Sequence, residues 1–224
     1  MRVIVFLGPS LAWEDARKAL SGAEYLPPAA RGDIIRAAEA GAKAIALIDG
    51  VFYQQAAVSH REILKAMELG SKVFGGSSMG ALRASELDIY GMVGVGTIYE
   101  WYKSGKIRSD DEVALAFHPE SLKPLSEPLV NIRATLEKAL ASGMINQQEH
   151  ESILIAAKEV PFQLRNYPRI LQKAIRLGLS STRAGEILEL IKNVRTDLKR
   201  EDAIKVLERI REWGMVENAD SWVK

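Results

Sequence analysis

Residues 76 to 80 read Gly-Ser-Ser-Met-Gly, the spacing of a G-x-S-x-G turn. A serine nucleophile carried between a strand and a helix needs a sharp turn, and small neighbours let the backbone pass through it. Its oxygen then leaves the sheet beside a helix N-terminus, whose N–H groups and positive field favour an oxyanion. The stretch lies between a strand-like run, "SKVFGG" (71–76), and the helix-compatible "MGALRASELDIYG". Ser78 stands at the centre of the spacing and is the candidate nucleophile. Ser77 beside it is a substrate-binding candidate. The same residues also fit a glycine-rich turn that binds an anion, or a turn of small residues with no chemistry.

A serine nucleophile needs a base. Ser59 and Glu62 have the S-x-x-E spacing of a capping box, which puts His60 in the first turn of its helix. That position favours His60 as the general base, although it shares a helical face with Ile63, Leu64 and Met67 and fits a core histidine too. Asp49 closes an apolar run, where it can orient His60, hold a ligand or cap a turn. The N–H groups of Gly8 or Ser10, in "LGPSL", can join that of Met79 in an oxyanion hole, while Pro9 has none to offer. Ser10 equally suits the N-cap of "LAWEDARKAL".

Arg83 is a candidate for binding an anionic substrate, and its spacing from Glu86 also fits a surface ion pair. Asp110, Asp111 and Glu112 precede the strand-like "VALAFH", ending in His118. Asp111 is a further substrate-binding candidate in what reads first as a solvated turn. Ser78, Asp111 and His118 follow the chain order of α/β-hydrolases, so His118 is the reserve base.

The chain that must position these residues has 224 amino acids, 47% of them apolar and 26% charged, enough for a sizeable core. A net charge of +1 without a basic block gives no reason to expect a nucleic acid partner. No apolar run approaches a membrane span and no signal-peptide layout precedes "RVIVFLG", so no membrane association and a cytoplasmic location are expected. The chain has no cysteine, which removes disulfides, thiolate ligands and a persulfide on the protein itself. The three histidines are too widely spaced for a short metal motif. Neither a metal nor a cofactor is expected.

Strand-like runs at 2–8, 42–50 and 71–76 alternate with helical patterns at 32–41 and 59–70. This alternation predicts an α/β fold with a parallel, Rossmann-like sheet flanked by helices, whose carboxyl edge carries "GPS", "DGVF" and "GGSSMG". From about residue 127 the pattern turns helical. The expected organisation is therefore an α/β core over 1–126 and an α-helical C-terminal lobe over 127–224. The charge pattern of "KREDAIKVLERIRE" (199–212) suits an exposed or docking helix face.

"FLGPSL", "DGVFYQQAAVSHREILKAMELGSKVFGGSSMGALRASEL", "GMVGVGTIYEWY", "DDEVALAFHP" and "SEPLVNIRATL" occur in this order over about residues 3 to 140. Together they resemble the TfuA-like family. That resemblance implies a partner of YcaO enzymes in peptide backbone thioamidation. It further implies sulfide supply by hydrolysis of a thiocarboxylate on a ubiquitin-like sulfur carrier, a reaction that a serine, a base and an oxyanion hole would suit. The thioamidated substrate would be a ribosomal peptide or a protein such as methyl-coenzyme M reductase. A non-catalytic adaptor, gripping a C-terminal carboxylate on the same glycine-rich edge, needs no base and remains the other reading. Nucleotide binding at "LGPSL" ranks last, for want of G-x-G-x-x-G and a Walker lysine.

Overall fold

The computed structural model describes residues 1–52 and 55–220, with side chains to 216. Five strands, β1 (Val3–Phe6), β2 (Glu24–Leu26), β3 (Ala44–Leu47), β4 (Lys72–Gly76) and β5 (Val93–Val95), alternate with helices α1 (Trp13–Ala19), α2 (Asp33–Glu39), α3 (His60–Glu68), α4 (Met79–Leu87) and α5 (Thr97–Lys103). Then follow α6 (Leu129–Ala141), α7 (Gln147–Glu159), α8 (Tyr167–Arg176), α9 (Ser181–Val194) and α10 (Leu198–Asp220). All strand pairs are parallel, in the order β2-β1-β3-β4-β5. This is a doubly wound order whose switch point lies between β1 and β3, where such sheets collect ligands beyond the strands' carboxyl ends.

Both faces of the sheet are covered, which is why β1 and β3 read as unbroken apolar runs rather than alternating ones. Ile4, Phe6, Ile45, Leu47 and Val73 turn one way, onto Ile34 of α2, Ile63 of α3 and Leu87 of α4. Val3, Val5, Leu7, Ala44, Ala46 and Phe74 turn the other way, onto Ala16 of α1 and onto Ala203, Val206, Leu207 and Ile210 of α10. The final helix therefore belongs to the sheet.

The chain divides into two compact units, Met1–Asp110 with Lys199–Lys224, and Asp111–Leu198. A single boundary at 126/127 does not describe this arrangement, because the buried stripe of α10 has the core of the first unit as its partner. The second unit is built from α6 to α9 around Leu129, Ile132, Leu136, Ile153, Ile170 and Ile187. Asn146, Asn166 and Ser180 cap α7, α8 and α9 through their side chains. The strand-like "VALAFH" forms no strand. Its only ladder contact among the described residues is an isolated antiparallel bridge between Phe117 and Pro124. Among the described residues, no helix is long and apolar enough to cross a membrane.

Candidate active site

At the switch point the loop after β1 and the segment after β3 are stitched together. Gly8 and Ser10 donate their N–H groups to one oxygen of Asp49, at 2.9 and 3.1 Å. The Ser10 hydroxyl donates to the other oxygen at 2.7 Å. Three donors converging on one buried carboxylate satisfy it in place. The N–H groups of Gly8 and Ser10 are thus occupied by Asp49, and Asp49 bonds to this loop rather than to His60. Nor is Ser10 the cap of α1, whose N-cap is Ala12 with no side-chain bond.

The next strand end carries the serine turn. Ser77 has φ 64, a left-handed backbone that non-glycine residues adopt at a cost. Ser78 N–H bonds back to the Gly76 carbonyl at 2.7 Å, closing a three-residue turn around Ser77. The Ser77 side chain is fully buried, and its hydroxyl donates to the Lys199 carbonyl at 2.8 Å. Ser78 follows as the N-cap of α4 with 6% of its surface exposed, and its hydroxyl makes no capping bond. Met79, first in α4, has an N–H with no partner inside the helix, beside the positive end of its dipole.

The two glycines of the motif are set by packing. A Cβ on Gly80 would lie 1.7 Å from the Leu47 carbonyl oxygen, and one on Gly76 2.5 Å from both Val206 and the Val95 carbonyl oxygen. Helix α4 thereby sits close on β3, and α10 on β4.

Lys199, in the first turn of α10, completes the cluster. Its ammonium lies 3.8 Å from Asp49, and each side chain is only 2% exposed. Nothing in the motifs named it. The signal was its place on the stripe of Asp202, Ala203, Val206, Leu207 and Ile210, a helical period that marks it as inward-facing.

The other candidates are placed elsewhere. His60 starts α3 under the Ser59–Glu62 capping box that the spacing predicts. Its Nε2 is hydrogen-bonded to Glu86 at 2.7 Å, and its side chain is 49% exposed. Arg83 binds the same Glu86 oxygen at 2.8 Å and donates to the Val58 carbonyl at 2.9 Å, so it is committed to the protein. Asp111 and His118 lie in the second unit. There Asp111 pairs at 2.7 Å with Arg165, a side chain 1% exposed. His118 Nδ1 accepts the N–H groups of Glu120 and Ser121, at 3.3 and 3.4 Å, within its own turn. Among the described residues, no three His, Asp or Glu side chains are grouped to hold a metal ion.

The family model of TfuA-like proteins matches residues 49–166, just over half of the chain. The chain belongs to the TfuA-like family. At family level this ties it to YcaO proteins and to YcaO-type thioamidation. The matched stretch of this TfuA-like protein includes Asp49 and the serine turn, and it leaves out Gly8, Ser10 and Lys199. A comparison with curated proteins gives no match.

Proposed function

We propose that this TfuA-like protein supplies sulfide to a YcaO enzyme by hydrolysing the thiocarboxylate of a ubiquitin-like carrier, with Ser78 as nucleophile and Lys199 as the base. The observation that carries this reading is the convergence of a buried lysine, Asp49 and the serine turn at the carboxyl edge of the sheet. Lys199 is the lysine buried at this turn, and a lysine amine is among the side chains that act as general bases.

In the proposed reaction the Ser78 oxygen attacks the carbonyl carbon of the thiocarboxylate as its proton passes to Lys199. The Met79 N–H supports the oxyanion. The carbon–sulfur bond breaks, the departing sulfur takes that proton from Lys199 and leaves as hydrosulfide, and the carrier remains as an ester on Ser78. Water, giving a proton to Lys199, then attacks that ester, and Lys199 returns the proton to the departing Ser78 oxygen. The products are the carrier carboxylate and free Ser78. The adaptor reading needs open backbone donors for a C-terminal carboxylate. Those of Gly8 and Ser10 already hold Asp49 and are lost to both readings; the buried amine of Lys199, which a carboxylate grip does not need, favours the hydrolase.

The test is sulfide release from a thiocarboxylated ubiquitin-like carrier by the intact protein and by Ser78→Ala, Lys199→Met and His60→Ala. The expected result is release by the intact protein and His60→Ala, and loss of at least about a hundredfold in the other two. Release by folded Ser78→Ala at the intact rate would overturn Ser78 as the nucleophile, and none by any of the four would overturn the hydrolase and leave the adaptor.

A further inference from the structure

The first turns of α10 run across the carboxyl ends of three adjacent strands. The Lys199 ammonium meets Asp49 beyond β3, and its carbonyl accepts Ser77 beyond β4. Three residues on, Asp202 accepts the Ile98 N–H beyond β5 at 2.7 Å. Its other oxygen accepts from Lys205 at 2.9 Å, and the residue is 0% exposed.

From this geometry we infer that Asp202 is a positioning residue that locks α10 in register and so holds Lys199 at the serine turn. This rests on the reading of Lys199 as the base. Two features make Asp202 more than a buried ion pair. Helix α5 has Gly96 as its N-cap, with no side-chain cap of its own, so the carboxylate of α10 supplies the acceptor that α5 lacks. Gly96, at φ 95, also leaves the space this needs, since a Cβ there would lie 2.4 Å from the Asp202 carboxyl carbon. A buried carboxylate carries a desolvation cost that an apolar residue would avoid. Here it joins two helices whose ends flank the candidate site. Lys199 and Asp202 lie on one helical face, so a slip of α10 that frees Asp202 also withdraws Lys199 from Asp49.

The experiment reads Lys199 directly, without turnover. The full chain is treated with acetic anhydride, and acetylation of Lys199 is followed by mass spectrometry, with Lys138 of α6 as the internal standard. In Asp202→Ala, Lys199 is expected to react at least about tenfold faster relative to Lys138, and in Asp202→Asn, which keeps an acceptor for Ile98, within about threefold of the intact chain. A second measurement needs no variant. In urea below the global transition, the Ile98 amide should begin to exchange at the urea concentration where Lys199 becomes reactive. The pH profile of sulfide release should also shift its midpoint in Asp202→Ala, whereas a loss of folded protein alone lowers the rate without moving the midpoint. Unchanged Lys199 reactivity in folded Asp202→Ala overturns the inference, as does Lys199 reacting while Ile98 stays protected. If the intact protein releases no sulfide, the role of Lys199 as base falls, while acetylation still decides whether Asp202 holds it.

Discussion

The Lys199 carbonyl oxygen accepts the Ser77 hydroxyl at 2.8 Å although 122 positions separate the two residues. The bond ties the strained residue of the serine turn to the start of the last helix, and the same lysine reaches Asp49 with its ammonium. The candidate site is thus closed by a segment outside the family match, on the buried face of a helix whose opposite face is charged.

The two neighbouring serines should separate cleanly. Ser77→Ala loses the bond to Lys199 and keeps the left-handed backbone, so a loss of about 1–2 kcal/mol is expected. Ser77→Gly loses the same bond but relieves the backbone, and should lie within about 1 kcal/mol of the intact protein. Urea midpoints check both. Each keeps Ser78 and should release sulfide within about tenfold of the intact rate. An inactive Ser77→Gly beside an active Ser78→Ala would move the nucleophile to Ser77.

Asp49 should matter first to folding. Asp49→Ala leaves the N–H groups of Gly8 and Ser10 without their acceptor and removes the carboxylate beside Lys199. A loss of about 3–5 kcal/mol follows from breaking such a buried cluster. Asp49→Asn keeps one oxygen for the two N–H groups and should lose only about 1–2 kcal/mol. Chemical denaturation of the pair tests the ordering, and an Asp49→Ala as stable as the intact chain would contradict it.

What the sequence makes legible follows from how local each cause is. β1 and β3 are apolar runs of four residues, β4 has Val-Phe ahead of its two glycines, and α3 carries its own capping box, so all four were readable. β2 and β5 have three residues each, too few to show a period, and Val-Gly-Val lacks even an apolar run. The serine turn was readable from its spacing. The partners of Asp49 were not, because two of its three donors are backbone N–H groups, which no residue type advertises. His60 was placed in its helix correctly, while its Glu86 partner, 26 positions away, was beyond reach of spacing arguments. The charge pattern of α10 suits an exposed or docking face; only the fold shows that its other face is buried on the sheet.

The motif glycines yield a prediction of opposite sign to a glycine elsewhere. In Gly80→Ala the new Cβ meets the backbone oxygen of Leu47 in the centre of the sheet, where nothing can give cheaply. A loss of about 3 kcal/mol or more is expected, independent of any role for Ser78. Gly185, inside α9, has nothing within 4 Å of an added Cβ. Gly185→Ala should therefore stabilise the chain by about 0.5–1 kcal/mol through helix propensity. Thermal unfolding of the two variants reads both signs, and a tolerated Gly80→Ala would show that α4 does not pack on β3 at this distance.

Acid stability of the second unit should depend on Glu149. Its carboxylate completes the capping box of α7 and accepts from Arg183 of α9 at 2.6 Å. Arg183 is the main reason its pKa lies below the ordinary 4.5, helped by the Asn146 N–H and opposed by burial. The unfolded chain therefore takes up this proton more readily than the folded one. Stability from the pair is complete above about pH 4.5 and is lost as the pH falls through the lower, folded-state value. Glu149→Gln keeps an acceptor for the cap but gives up the charge. It should be about 1–2 kcal/mol less stable than the intact protein at neutral pH, and the difference should shrink as the pH falls below about 4.5. Urea midpoints of the two proteins, compared from about pH 7 down to about pH 3, decide it. A gap that stays constant across that range would mean that the Glu149 charge does not hold α7 to α9.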